Sequence, residues 1–244
     1  MKFNKEDRKL LTPAGVDLFK EDTSKKLGEQ ERELFHRTVA KCQFMAKRAR
    51  PDIQTTVAVL CSRIQAPCRK DWLNLVRLMK FLSQTEDEIL TLSARKSISV
   101  LEWYINTAFG FHPEYKGHTG GVLRFQGGKG TIMQKSVKQK LNCSSSTTVE
   151  LVEVDDLLPK VLWTPLFLEE QGYKVEKNIV FQDNTSAILL EKNGKWSLGE
   201  RTRTLNICYF MIMDQVEKGH VVIEHCPTEN MIGDFFTKPL LLDI

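Results

Sequence analysis

The apolar residues of this chain change their period near residue 98, and that change limits the folds open to it. Before it, Trp72, Leu75, Val76, Met79 and Leu82 recur at steps of three and four with charges between them, which marks an amphipathic helix. After it, Trp103, Ile105, Thr107, Phe109 and Phe111 alternate, so one face of an extended strand carries them. Two periods in separate blocks predict a helical segment followed by an α/β domain.

Residues 1–28 mix charges with Thr12-Pro13-Ala14-Gly15 and hold no sustained period, so they are expected to form an arm or linker. Residues 29–95 read as all helix. The stretch Phe35 to Ile64 is interrupted at Arg50-Pro51, because the residue before a proline avoids helical angles, and gives two helices ahead of the one at Trp72. From residue 98 to 241 the order is strand, hairpin, helix, strand, helices, strand, helix. Gly120–Phe125 and Thr131–Lys138 flank Gln126-Gly127-Gly128-Lys129-Gly130, a loop of hairpin length. Leu151, Val154 and Leu158 start a helix near Thr147. Asn178 to Phe181 is a strand ending at Gln182-Asp183-Asn184. Helices over about 186–192 and 202–217, a strand from Val221 to Glu224 and a terminal helix through Asp234 complete the pattern. The expected fold class is α/β, a mixed sheet with flanking helices, preceded by a small all-helical segment.

At 244 residues and 41% hydrophobic content the chain can bury a substantial core, but 35 basic against 31 acidic residues name no partner. The distribution says more. Residues 1–50 hold 13 Lys and Arg against 8 Asp and Glu, and Lys129, Lys135, Lys138 and Lys140 form a stretch free of acids. Such a stretch suits a phosphate backbone or is a solvated face. The six cysteines show neither a C-x-x-C pair nor zinc-site spacing with His, and are expected to be reduced thiols. No signal-peptide pattern opens the chain, and no apolar run nears the roughly 18 residues of a membrane span. An intracellular protein, cytoplasmic or nuclear, with no membrane partner is expected. His220, His225 and Cys226 are not expected to bind metal, and His112 and His118 read as loop histidines. Trp103, Trp163 and Phe167 are expected in the core and not as base-stacking platforms.

Two-metal phosphodiester hydrolysis needs carboxylates converging on a pair of Mg²⁺ ions, and α/β folds supply them from strand ends and helix starts. Glu150 in the first turn of a helix, Asp183 at a strand end and Asp234 in the terminal helix stand in such places, with Asn106 the best-placed residue of the first strand. Each has a plainer reading. Thr147-x-x-Glu150 matches a capping box, Asp183-Asn184 matches turn chemistry, and Asp234 could cap a helix or face solvent.

Several strings occurring together in order carry a more specific signal. Phe35-His36-Arg37-Thr38-Val39-Ala40-Lys41 with Ala46 to Ile53, Ser136-Val137-Lys138-Gln139-Lys140 running into Ser145-Ser146-Thr147, Gln182 to Ile188, and Thr237-Lys238-Pro239-Leu240 resemble the tail of copia-type LTR retrotransposon Pol polyproteins. The resemblance covers about residues 28–241. It implies a thumb- or connection-like remnant of reverse transcriptase over 29–95 and a ribonuclease H-like domain over 98–241, which would cut the RNA strand of RNA–DNA hybrids with Mg²⁺. The polymerase motif, a tyrosine followed by paired aspartates, is absent, so polymerase activity is not expected.

Carried over residue by residue, the resemblance makes Glu150, Asp183 and Asp234 catalytic metal ligands. It puts Asn106, within Trp103-Tyr104-Ile105-Asn106-Thr107-Ala108-Phe109, where the family has an aspartate. Thr148 replaces a further acid, and Thr204-Leu205-Asn206 departs from a His-Ile-Asp string. A neutral amide cannot bridge two cations as a carboxylate does, so hydrolysis is expected to be weak or absent. The lysines at 129, 135, 138 and 140 are the expected nucleic-acid contacts. A catalytically silent nucleic-acid-binding domain and a decayed element copy with no selected role are the alternatives, and the lack of protease and integrase motifs adds weight to decay.

Overall fold

The computed structural model describes residues 9–20, 23–94, 98–110, 112, 115–141, 143, 146–193 and 203–239, the side chains at 147, 190–193 and 203–209 excepted. The chain divides into two units, Met1–Leu90 with Lys238–Ile244, and Thr91–Thr237.

The first unit is helical: α1 spans Glu29–Arg48, α2 Gln54–Ser62 and α3 Arg69–Gln84, with a 3-10 turn at Pro51–Ile53. Phe35, Val39, Cys42 and Ala46 form the buried stripe of α1 at steps of four, three and four. They pack with Ile53, Val57, Leu60, Leu75 and Leu78. Arg50, between the end of α1 and Pro51, is buried, and its guanidinium donates to the Asp52 carboxylate and to Thr85 O at the end of α3. At the start of α3, Asp71 accepts from Cys68 N at 2.9 Å and from Arg63 Nη1 at 2.7 Å. The stretch expected to be an arm also packs: Ala14, Leu18 and Phe19 are buried with Val59, and Arg63 Nη2 donates to the carbonyls of Leu18 and Phe19.

The second unit is a five-stranded mixed sheet of order β3-β2-β1-β4-β5. Strands β1 (Val100–Ala108), β2 (His118–Phe125) and β3 (Met133–Lys138) form an antiparallel meander. Strands β4 (Lys177–Gln182) and β5 (Val222–His225) add parallel to β1. Helix α4 (Ser146–Glu170) crosses between β3 and β4, and α5 (Thr185–Asn193) and α6 (Arg203–Glu217) lie between β4 and β5. Alternation in β1 does the sorting. Leu101, Trp103 and Ile105 join Leu151, Val154, Leu157, Leu158 and Val161 of α4 in the main core, whereas Tyr104 faces the other side with Val122, Cys226, Met231 and Phe236.

Helix α4 contains Pro159 and Pro165. Pro165 has no N–H to give Val161 O one turn earlier. Asn178 Nδ2 fills that place, donating to Val161 O at 2.9 Å, while Asn178 Oδ1 accepts from Trp103 Nε1 at 3.1 Å. The helix thus keeps its line across the proline with a donor borrowed from β4.

Three expectations are corrected here. The terminal element carrying Asp234 is a pair of 3-10 turns, Thr228–Asn230 and Ile232–Phe236, and not an α-helix. Its bonds are of the short type, Asp234 N to Met231 O and Thr237 N to Asp234 O, both 3.1 Å, and Met231, at φ −77° and ψ 85°, leaves the helical region between the two turns and keeps them from joining into one helix. Trp163 and Phe167 are not core: they stand on the outer face of α4, 48% and 45% exposed, since the inner face is already filled by Val154, Leu157, Leu158 and Val161. His118 and His112 are buried and bonded to each other, as described below.

Candidate functional site

Parallel pairing of β1 with β4 sets Tyr104 opposite Phe181. Two residues further along both strands, Asn106 and Asp183 reach the same end of the sheet, where side chains converge in open α/β sheets. Asn106 lies opposite Gly120 of β2, and Gly120 leaves room for the 232–236 turn to sit on the sheet: a Cβ there would stand 2.8 Å from Gly233 O and 2.8 Å from Phe236 C. Gly233 is similarly close, its Cβ position 3.2 Å from Asn106 N. Two glycines therefore let the terminal turn lie against β1 and bring Asp234 to Asn106.

The side chains form two groups. In one, Asn106 Nδ2 donates to Asp234 Oδ1, and Asn106 Oδ1 accepts from Thr107 N at 2.7 Å. An amide oxygen turned to the carboxylate would be repelled, so the orientation follows from charge. In the other, Glu150 is buried at the start of α4 and its Oε1 accepts from Asn184 Nδ2 at 3.0 Å. Burial pushes the Glu150 carboxyl up to about 7; the Asn184 amide opposes this and the negative charge of Asp183 adds to it. Asp183 itself accepts from Thr228 Oγ1 at 3.2 Å.

The sequence marked Asn184 only as turn chemistry beside Asp183, not as a partner of Glu150, and did not single out Thr228. Asn184 Oδ1 also takes Ser186 N at 3.0 Å and so caps α5, and an Asn just ahead of a helix was the available signal for that role. Nothing local pointed to Thr228. The structure does not test the expected capping box, because the Thr147 side chain lies outside the described residues, as do Phe111, Ser144, Ser145, Leu240 and the side chains of Thr204, Leu205 and Asn206.

The donor set does not fit a pair of Mg²⁺ ions. Asp234 Oδ1 is taken up by the Asn106 amide N–H, and among the described residues no group of three or more His, Cys, Asp and Glu side chains is gathered to hold a metal. What the arrangement does provide is hydrogen bonding between neutral amides and carboxylates at one end of the sheet.

The four lysines fall in different places. Lys129 in the hairpin loop and Lys140 beyond β3 are exposed, at opposite ends of that strand. Lys135 and Lys138 are half-buried. Lys135 Nζ donates to Asp156 O at 2.5 Å on the α4 side, and burial lowers its pKa. Lys138, three residues on, belongs to the opposite face.

Away from these residues, His112 Nε2 and His118 Nδ1 are 3.0 Å apart, and His118 Nε2 lies 2.7 Å from Ser136 Oγ. Burial, with His112 adding to it, holds the His118 imidazole down to about 3. His220 Nδ1 pairs with Gln215 Oε1 at 2.9 Å. Cys42, Cys61, Cys68, Cys143 and Cys226 are free thiols. Among the described residues no helix is long and apolar enough to cross a membrane.

No family model matches the chain. It is 26% identical over 190 residues, 78% of its length, to the retrovirus-related Pol polyprotein from transposon TNT 1-94 of Nicotiana tabacum. It spans about 14% of that relative's length. Among solved structures, the foamy viral protease-reverse transcriptase in complex with RNA/DNA hybrid matches 93% of this chain and 28% of its own, with 14% identity and a TM-score of 0.53. LC11 ribonuclease H1, isolated from compost, matches 56% of this chain and 91% of its own at 16% identity and a TM-score of 0.40. The homologues of the chain are thus retrovirus-related Pol polyproteins of plant copia-type and yeast Ty1 transposons, and its sheet has the ribonuclease H-like fold.

Proposed function

We propose that this ribonuclease H-like relative of the transposon Pol polyproteins binds RNA–DNA hybrid but hydrolyses its RNA strand weakly or not at all. The observation that carries the reading is Asn106: the first-strand position beside Asp234 holds an amide that donates a hydrogen bond to it. Hybrid hydrolysis by this fold would draw on carboxylates at 150, 183 and 234 and a fourth at 106. With a neutral residue there, the charge available to hold divalent cations drops by one, and even changes outside the metal's direct ligands commonly cost about 10–100-fold.

Binding does not need the missing carboxylate. A duplex is held through phosphates and 2′-hydroxyls, and we assign phosphate contacts to Lys129, Lys138 and Lys140. Lys135 is occupied by the Asp156 carbonyl and is given a smaller share. The foamy viral protein of the same fold was solved with an RNA/DNA hybrid, which supports the choice of duplex. Residues 29–95 are read as a thumb- or connection-like remnant of a reverse transcriptase.

The test is a hybrid-binding titration against salt beside a cleavage assay in Mg²⁺ and in Mn²⁺, with wild type and Asn106→Asp. Affinity should fall as salt rises, by roughly 0.9 in logarithmic slope per phosphate contact if a hybrid behaves as duplex DNA does. Cleavage by wild type should stay near background and rise at least about tenfold in Asn106→Asp. Robust wild-type cleavage would overturn the reading.

A further inference from the structure

The outer face of α4 carries a pattern that nothing in the hybrid-binding reading uses. Lys160, Trp163, Phe167 and Glu170 are all exposed and follow one another at steps of three, four and three, so they line one stripe of the helix. Leu166, 62% exposed, lies beside them. The Trp163 and Phe167 rings are stacked with centroids 4.8 Å apart, and Lys160 Nζ lies 5.7 Å from the Trp163 centroid. An aromatic pair left in water at the centre of a stripe on the C-terminal part of α4, with a cation at one end of the stripe and an anion at the other, is an apolar patch with a polar rim.

The order of chemistry along the stripe reads the same in reverse once charge is inverted: cation, aromatic, aromatic, anion. A two-fold axis beside Pro165 and perpendicular to the helix would set two copies of α4 antiparallel. Trp163 of one then meets Phe167 of the other, Lys160 meets Glu170, and the two Leu166 side chains meet near the axis. A two-fold interface requires this kind of self-complementarity, with each residue meeting its counterpart's partner. We propose that the chain forms a homodimer through this face of α4.

The area sets the strength. Two half-exposed aromatics and a leucine offer roughly 300 Å² of apolar surface per copy, against about 800 Å² of total surface per partner in a standard interface. The dimer is therefore weak and reversible, with a Kd on the order of 10–100 µM.

Sedimentation equilibrium of the full chain over a concentration series tests this, with circular dichroism to check that each variant is folded. Wild type should show a reversible monomer–dimer equilibrium, and Trp163→Ala should weaken it at least about tenfold. Lys160→Glu should weaken it roughly three- to tenfold, since the two-fold axis converts two attractive pairs into two repulsive ones. The decisive variant is Lys160→Glu with Glu170→Lys, which restores opposite charges across the axis and should return the constant to within about twofold of wild type. A chain that stays monomeric overturns the proposal, as does a dimer indifferent to Trp163→Ala, or a double variant no tighter than the single one. Monomeric chain whose Trp163 fluorescence is quenched by a single-stranded oligonucleotide would make the stripe a base-stacking surface and would equally overturn it.

Discussion

Asn106, near the end of the central strand of the sheet, donates its side-chain N–H to the carboxylate of Asp234, 128 residues further along the chain. The bond ties the first strand to the last turn, and it depends on residue 106 being neutral. In Asn106→Asp a second carboxylate replaces the donor, and two adjacent acids cannot both ionise freely. Without metal at neutral pH the variant should lose about 1–3 kcal/mol. Thermal unfolding in a chelator should show this as a drop of about 2–4 °C for each kcal/mol. Lowering the pH to where one carboxyl takes up a proton should recover much of the loss, as should adding Mg²⁺. An unchanged melting temperature in chelator would mean that the Asn106–Asp234 bond contributes nothing.

Gly120 should matter to the same contact from the neighbouring strand. An added methyl would meet Gly233 O and Phe236 C at 2.8 Å, backbone atoms that cannot swing aside as a side chain would. Gly120→Ala should displace the 232–236 turn and cost about 1–3 kcal/mol. Faster hydrogen exchange over that turn, with β3 unaffected, is the measurement that locates the damage.

His118 should make the second unit sensitive to acid. Its folded pKa lies near 3, below the ordinary 6.5. Its contribution is therefore complete above pH 6.5 and is lost as the pH falls towards 3, by about 1.4 kcal/mol per unit between the two values at most. His118→Gln keeps an amide next to Ser136 and cannot be protonated, so its stability between pH 6.5 and 4 should decline less steeply. Equal slopes for the two proteins in denaturant titrations across that range would remove His118 from the account.

Asn178 should be needed because of Pro165. Asn178→Ala leaves Val161 O without its outside donor and Trp103 Nε1 without its acceptor, and should cost about 2–6 kcal/mol, roughly 1–3 for each buried group left unpaired. In a Pro165→Ala background the helix supplies its own N–H to Val161 O, so the same substitution should cost less. A double-mutant cycle by chemical denaturation reads the coupling; strict additivity would show that the proline and the asparagine are independent.

Much of the fold was legible in the sequence because it follows from local periods. Alternation from Trp103 to Thr107 reports a strand with two different faces, and steps of three and four from Phe35 to Ala46 report a helix with one buried stripe. Those patterns act within a few residues, and so did the strings that resemble the retrotransposon family. What escaped was set by competition for space. Trp163 and Phe167 have core chemistry, but α4 has a limited inner surface, and Val154, Leu157, Leu158 and Val161 occupy it. His112 and His118 looked like loop residues until the β2–β3 pairing brought Ser136 against His118.

The sequence by itself determined the element order, the switch from helices to a sheet, and the identity of the residues at 106, 150, 183 and 234. Only the tertiary structure decided their pairing: Asn106 with Asp234, Glu150 with Asn184, and Asp183 with Thr228. The physical reason is the range of each cause. Backbone angles and hydrophobic period act between near neighbours, whereas these hydrogen bonds join groups brought together by strand register and by the close approach that Gly120 and Gly233 permit.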